Sequence, residues 1–154
     1  MVTIRPKNIT SIRMQGTGET HARTRVSVRD LTSVLDEPNA RGGSNMGFMP
    51  TETLVASVIG CTNVIASRLA ERMGITFKNL NVSAEAEFDR RGAALEEEIE
   101  IPFPSIRLTI SAISNGTPAQ VEKLAEELGK HCPVSKVLRA AGTKVDEIWQ
   151  ITDA

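Results

Sequence analysis

The chain has 154 residues, 40% hydrophobic and 24% charged, and its eighteen basic against nineteen acidic side chains leave a net charge of −1. That is the size and composition of one globular domain, residues 1–154, with material for a real core. The balanced charge, with one Trp, four Phe and no Tyr, argues against a general affinity for polyanions and against aromatic platforms for nucleic acid.

The N-terminus, MVTIRPKNITSIRMQ, mixes charges with single apolar residues and lacks the apolar centre of a secretory leader. No stretch approaches the roughly 18 apolar residues that a membrane span requires. A cytoplasmic location without a membrane partner is therefore expected. In a reducing compartment the two cysteines, Cys61 and Cys132, are not expected to form a structural disulfide, which turns attention to catalysis or redox sensing.

In chain order, residues 2–14 and 20–30 carry β-branched residues at alternating positions, such as Thr24, Val26 and Val28, and read as strands parted by a Gly16-Thr17-Gly18 turn. LDEPNARGGSNMGFMP follows as a loop. From Thr51 to Met73 the apolar residues recur at 54, 58, 61, 65, 69 and 73, the spacing of a helix. Val55, Ile59 and Val64 widen its apolar face, as in a buried helix, while Arg68, Glu71, Arg72 and then Gly74 give a wetter end and a stop.

Alternation returns over residues 75–89 and 99–113, two strands joined through Arg90-Arg91-Gly92, with Pro102 and Pro104 confining the start of the second to an edge or bulge. Thr117, Pro118 and Gln120 form a helix start with a capping box; Val121, Leu124 and Leu128 line its buried stripe and Gly129 ends it. HCPVSKVLRAAG predicts a short helix with Cys132 at its cap and Pro133 in its first turn. TKVDEIWQIT closes the chain as a strand through Val145, Ile148 (one step out of phase) and Ile151. The order β-β-α-β-β-α-α-β is an α+β arrangement rather than a doubly wound sheet.

Cys132 has the better local case for reactivity. A helix start offers it unpaired amides and a favourable dipole, and His131 and Lys136 add nearby charge. Cys61 lies in the apolar run VIGCTNVIA, where burial raises a thiol pKa unless a cation reaches it. Alone it reads as a small core hydrophobe. Local spacing does not show that the two meet. Cys61, Cys132, His21 and His131 are the only soft ligand candidates, and they lack the paired spacing of a zinc site, so no metal and no bound cofactor are expected.

The run GFMPTETLVASVIGCTNVIA behind a Gly-Gly loop, with HCPVSKVL further on, resembles the OsmC/Ohr family, the osmotically inducible and organic hydroperoxide resistance proteins, over residues 20–152. The resemblance implies β-sheets packed around a long central helix that carries a cysteine, in an intertwined homodimer with the site at the subunit interface. It implies that Cys61 attacks the peroxide and becomes a sulfenic acid, that Cys132 resolves it as a disulfide, and that an external dithiol of lipoyl type reduces the pair.

One position departs from the family pattern. Catalytic members carry a glutamate directly after the helix-start proline, where it orients an arginine toward the reactive thiol. Here Thr51 follows Pro50 and Glu52 comes one place later, a rotation of about 100° on a helix. The departure resembles the less-characterised OsmC-like branch. By the same resemblance the cation comes from the N-terminal strands, where Arg23 and Arg25 share a face, with His21 nearby and Arg41 as a loop alternative.

The resemblance thus implies a peroxidase acting on organic hydroperoxides through Cys61 and Cys132. The alternative is a non-catalytic OsmC-like protein that senses redox state or binds an apolar small molecule. A third reading, in which both thiols merely pack, requires two independent accidents of placement.

Overall fold

The computed structural model describes residues 8–153, which fall into two compact units divided after Thr53. The first unit holds a three-stranded antiparallel meander: β1 (Gln15–Gly18), β2 (Thr24–Val28) and β3 (Leu31–Leu35), in that spatial order. Thr17 pairs with Arg25, and Val26 with Ser33.

The expected strand over 2–14 does not form within the described residues 8–14, and residues 2–7 lie outside them. Gly16-Thr17-Gly18 is itself strand, because the reversal comes later: the Thr20 Oγ1 accepts the Ala22 and Arg23 amides, and the Glu19 amide donates to the Arg23 carbonyl at 2.8 Å. The expected strand 20–30 likewise breaks at Arg29, whose φ of 54° turns the chain into β3.

The loop from Asp36 to Met49 is organised by a buried carboxylate. Asp36 accepts the amides of Glu37, Ser44 and Met46 and the Ser44 hydroxyl, the last at 2.7 Å. A single helical turn, Asn39–Arg41, lies inside the loop. Gly43 and Gly47 are required here: a Cβ at Gly43 would overlap the Glu37 backbone, and one at Gly47 the Val34 carbonyl.

Helix α1 (Pro50–Arg72) starts with proline at its first position, one residue ahead of the expected start, and stops where Gly74 takes a φ of +68°. Its buried positions are Val58, Thr62, Ala66, Leu69 and Ala70. Leu54 and Val64 remain 36% and 45% exposed, so the helix is not covered on most sides within this chain. With 23 residues and a mean hydropathy of 1.4 over its most apolar stretch, α1 is long and apolar enough to cross a membrane by length and composition. No span was expected from the sequence. Only 28% of that stretch is buried within the chain.

In the second unit, β4 (Phe77–Ala86), β5 (Ser105–Ser114) and β6 (Lys144–Asp153) form a sheet with β5 central, antiparallel to β4 and parallel to β6. The parallel pairing is made possible by the crossover through α2 (Pro118–His131) and α3 (Pro133–Ala140). Ile106, Leu108 and Ile110 on one face of β5 are fully buried and pack with Val58, Leu138 and Val145. Each such side chain contributes roughly 1.5–3 kcal/mol relative to exposure.

Pro102 and Pro104 both precede β5, since neither can donate to a ladder; their carbonyls instead accept from Asp89 at 2.9 Å and Lys144 at 3.0 Å. On β6 the core-facing set is Val145, Glu147, Trp149 and Ile151, opposite Ile106, Leu108, Ile110 and Ala112. Ile148 faces the other way and is 42% exposed. The capping box at Thr117 is complete, with Gln120 Oε1 accepting the Thr117 amide at 2.9 Å. Helix α2 runs past Gly129 to His131.

Candidate functional site

Cys132 is the hinge residue between α2 and α3. Its amide donates to the Leu128 carbonyl at 2.9 Å to close one helix, and its carbonyl accepts from Lys136 at 3.0 Å to open the next. The side chain is fully buried in a cluster with Leu69 of α1 and Leu124 and Leu128 of α2. Cys61, half-buried on α1, packs against that same cluster and acts directly on the Cys132 thiol. The structure therefore brings the two cysteines together, which spacing could not show, and both are free thiols.

Burial pushes the Cys132 thiol above its ordinary range, and the neighbouring Cys61 side chain adds to the rise. The Ser135 and Val134 amides at the start of α3 pull the other way without overcoming it. The expectation of an activated Cys132 is thus reversed: the helix-start amides are present, but dehydration outweighs them. The nearby cations do not offset it either. His131 is paired with Glu127 at 3.2 Å, as is Lys130 at 2.8 Å, and Lys136 is exposed.

Beneath Cys132 lies a network that the sequence reading missed. The Ser135 hydroxyl is buried and accepts from Arg139 Nη1 at 2.6 Å; Arg139 Nη2 donates to the Val145 carbonyl at 2.9 Å and to Glu147 Oε1 at 3.1 Å. The spacing of Ser135 and Arg139, one helical turn, was a legible signal. Glu147 was concealed because a carboxylate on the core face of a strand violates the expected alternation.

A cleft of about 520 Å³ is lined by Ile65, Leu69, Arg68, Glu71, Arg72 and His131. Its lining begins one helical turn from Cys61, at Ile65, and one residue from Cys132, at His131. Among the described residues no three His, Cys, Asp or Glu side chains converge to hold a metal ion.

The remaining candidates lie in the first unit. Glu19 sits between two arginines: Oε1 accepts Arg25 Nε at 2.6 Å and Oε2 accepts Arg23 Nε at 2.8 Å. The Arg25 hydrogen bond, with Arg23 assisting, holds the Glu19 carboxyl below its usual range despite partial dehydration. Arg23 alone has a second anchor, donating to Ser44 Oγ at 2.9 Å. Glu52 accepts the Met49 amide at 2.9 Å. Arg41 is directed to Met49 Sδ at 3.5 Å and Glu37 at 3.8 Å, and His21 lies against Gly42.

The profile of a family described as OsmC-like protein matches residues 42–147. The fold is similar to the crystal structure of an OsmC-like protein from Mycoplasma pneumoniae, with a TM-score of 0.78 at 14% identity over 93% of this chain and 98% of that one. An organic hydroperoxide resistance protein from Elizabethkingia anophelis gives a TM-score of 0.67 at 18% identity over 96% and 100%. The organic hydroperoxide resistance protein OhrB of Bacillus subtilis gives 0.57 at 17% over 93% and 98%. No curated protein matches the sequence.

Proposed function

Because the chain belongs to the OsmC-like protein family, we propose that it is a thiol-dependent peroxidase that reduces organic hydroperoxides through Cys61 and Cys132. The Cys61 thiolate attacks the terminal peroxide oxygen; the O–O bond breaks, the alkoxide takes a proton from solvent and leaves as the alcohol, and the sulfur is oxidised by two electrons to a sulfenic acid. The Cys132 sulfur then attacks that sulfenic sulfur, the S–O bond breaks, water departs and a disulfide forms. An external dithiol of lipoyl type returns the two electrons.

The observation that carries this reading is the meeting of the two thiols in one apolar cluster of α1 and α2. Half-exposure suits Cys61 to the attacking role, and full burial beside it suits Cys132 to capturing a sulfenic acid before it over-oxidises. The preference for an organic peroxide over hydrogen peroxide comes from the family resemblance; the neighbouring cleft sets Ile65 and Leu69 beside Arg68, Glu71, Arg72 and His131. The family resemblance assigns the cation for the Cys61 thiolate to Arg23 or Arg25, whose guanidinium groups the Glu19 carboxylate holds within the first unit. A cytoplasmic homodimer completes the proposal, and exposed Leu54 and Val64 on α1 supply apolar surface for a second subunit.

The test is free-thiol content before and after one equivalent of cumene hydroperoxide, with hydrogen peroxide in parallel. The expected result is rapid loss of both thiols, an intact mass lower by two hydrogens, and preference for the organic peroxide. Retention of both thiols overturns it.

Thr51 at the place of the family glutamate favours a second reading, a redox-sensing or apolar-ligand-binding protein with little turnover. Under that reading the disulfide forms with thiol oxidants but peroxide is not consumed catalytically.

A further inference from the structure

Ser135 is a buried side chain whose polar atom must be satisfied, and its partner is a charged group rather than a neighbouring backbone carbonyl. The same residue lies in the first turn of α3, the turn that Cys132 opens by accepting the Lys136 amide at 3.0 Å. A line of contacts therefore runs from Glu147 on β6 through the Arg139 guanidinium to Ser135, in the turn that Cys132 opens. The Arg139 side chain is 36% exposed and Glu147 11% exposed, so the ion pair sits in a partly dehydrated position. A fork that grips a hydroxyl, a carbonyl and a carboxylate at once uses the geometry of arginine, which lysine does not reproduce.

We propose that Arg139, anchored by Glu147, is a positioning residue for Cys132: it clamps the first turn of α3 to β6 and so fixes the turn that Cys132 opens. The proposal rests on the dithiol reading above and assigns its second step a dedicated support. When Cys132 attacks an oxidised Cys61, its sulfur must give up a proton and advance toward its partner. The amides that stabilise the developing anion are useful only if the turn carrying them stays fixed, and Arg139 fixes it. Cys61 is the ionisable neighbour that faces the sulfur directly; Arg139 acts through Ser135.

The experiment drives the disulfide with diamide, a diazene that accepts two electrons and two protons from a dithiol, so that no peroxide chemistry is needed. Arg139→Ala, Arg139→Lys and Glu147→Gln are compared with the parent for the rate of Cys61–Cys132 closure. The pH profile of iodoacetamide alkylation is read separately at each cysteine by peptide mass. Arg139→Ala is expected to slow closure about tenfold, the scale of one lost charged hydrogen bond, and to move the Cys132 profile to higher pH while leaving that of Cys61 in place. Arg139→Lys restores part of the rate, and Glu147→Gln gives an intermediate loss in a chain that keeps its full side-chain volume.

Unchanged closure and an unchanged Cys132 profile in Glu147→Gln and in whichever Arg139 variant folds overturn the proposal. A parent protein that closes its disulfide with diamide but spares cumene hydroperoxide overturns the peroxidase and leaves the clamp standing.

Discussion

The Glu52 carboxylate accepts the Met49 amide at 2.9 Å, which engages it at the entry to α1. It works there as a cap in the manner of an N-terminal acceptor. Replacing Glu52 by Ala is expected to cost about 1 kcal/mol, as loss of a helix cap does, measured by urea unfolding. Thr51→Glu is expected to raise the rate of cumene hydroperoxide consumption by supplying a carboxylate at the position where catalytic relatives of this family carry one. No gain means that the limitation lies elsewhere than in that carboxylate.

The raised Cys132 thiol fixes a second expectation. In the unfolded chain this group ionises near the ordinary thiol value of about 8.5, while in the folded chain burial keeps it protonated to higher pH. Above about pH 8.5 the unfolded state therefore holds fewer protons than the native state, and stability falls as pH rises through that value toward the folded one. Urea midpoints should decline over that range in the parent and stay flatter in Cys132→Ala. At pH 8 iodoacetamide should label Cys61 ahead of Cys132, and the opposite order would contradict the roles given to the two thiols.

What could be read in the sequence followed local chemistry. Thr117 and Gln120 announced α2 because a capping box is complete within four residues, and Gly74 announced the end of α1 because its positive φ is a local requirement. β3 stayed hidden because its tight turn, Arg29-Asp30, carries no glycine or asparagine and puts its positive φ on an arginine. The side-chain network was less legible still: Asp36 looks like an ordinary loop carboxylate until Ser44 and Met46 fold back on it, and Glu147 breaks its strand's alternation to meet Arg139. Cys61 and Cys132 were each visible. Their meeting depends on how α1 packs against the α2–α3 corner, which no spacing encodes.

Asp36 gives a third prediction. Chiefly the Ser44 hydroxyl, helped by the Met46, Ser44 and Glu37 amides, holds its carboxyl below the usual range against dehydration. The folded form therefore binds its proton only at lower pH than the unfolded chain, so the contribution is present above about pH 4 and is lost as pH falls through the folded value. Asp36→Asn removes acceptor capacity and charge together. Amide hydrogen exchange at Ser44 and Met46 should accelerate in that variant, and in the parent should accelerate on acidification. Protection unchanged by the substitution would mean that the loop is held by other bonds.

The arginines give the last prediction, because the structure separates two residues that strand alternation could not. Arg25 is bonded to Glu19 and its side chain is 52% exposed; Arg23 is 29% exposed and is held by Glu19 on one side and Ser44 on the other. A cation that stabilises a thiolate must be present in one orientation before the reaction, since reorganising it during the step adds to the barrier. The doubly anchored Arg23 meets that condition better. Arg23→Ala is expected to slow oxidation of Cys61 by about tenfold or more, equivalent to about 1.4 kcal/mol of barrier, and Arg25→Ala by less. Glu19→Gln, which loosens both guanidinium groups, should fall between them. Single-turnover loss of the Cys61 thiol under cumene hydroperoxide measures all three, and a larger effect from Arg25→Ala would transfer the role to Arg25.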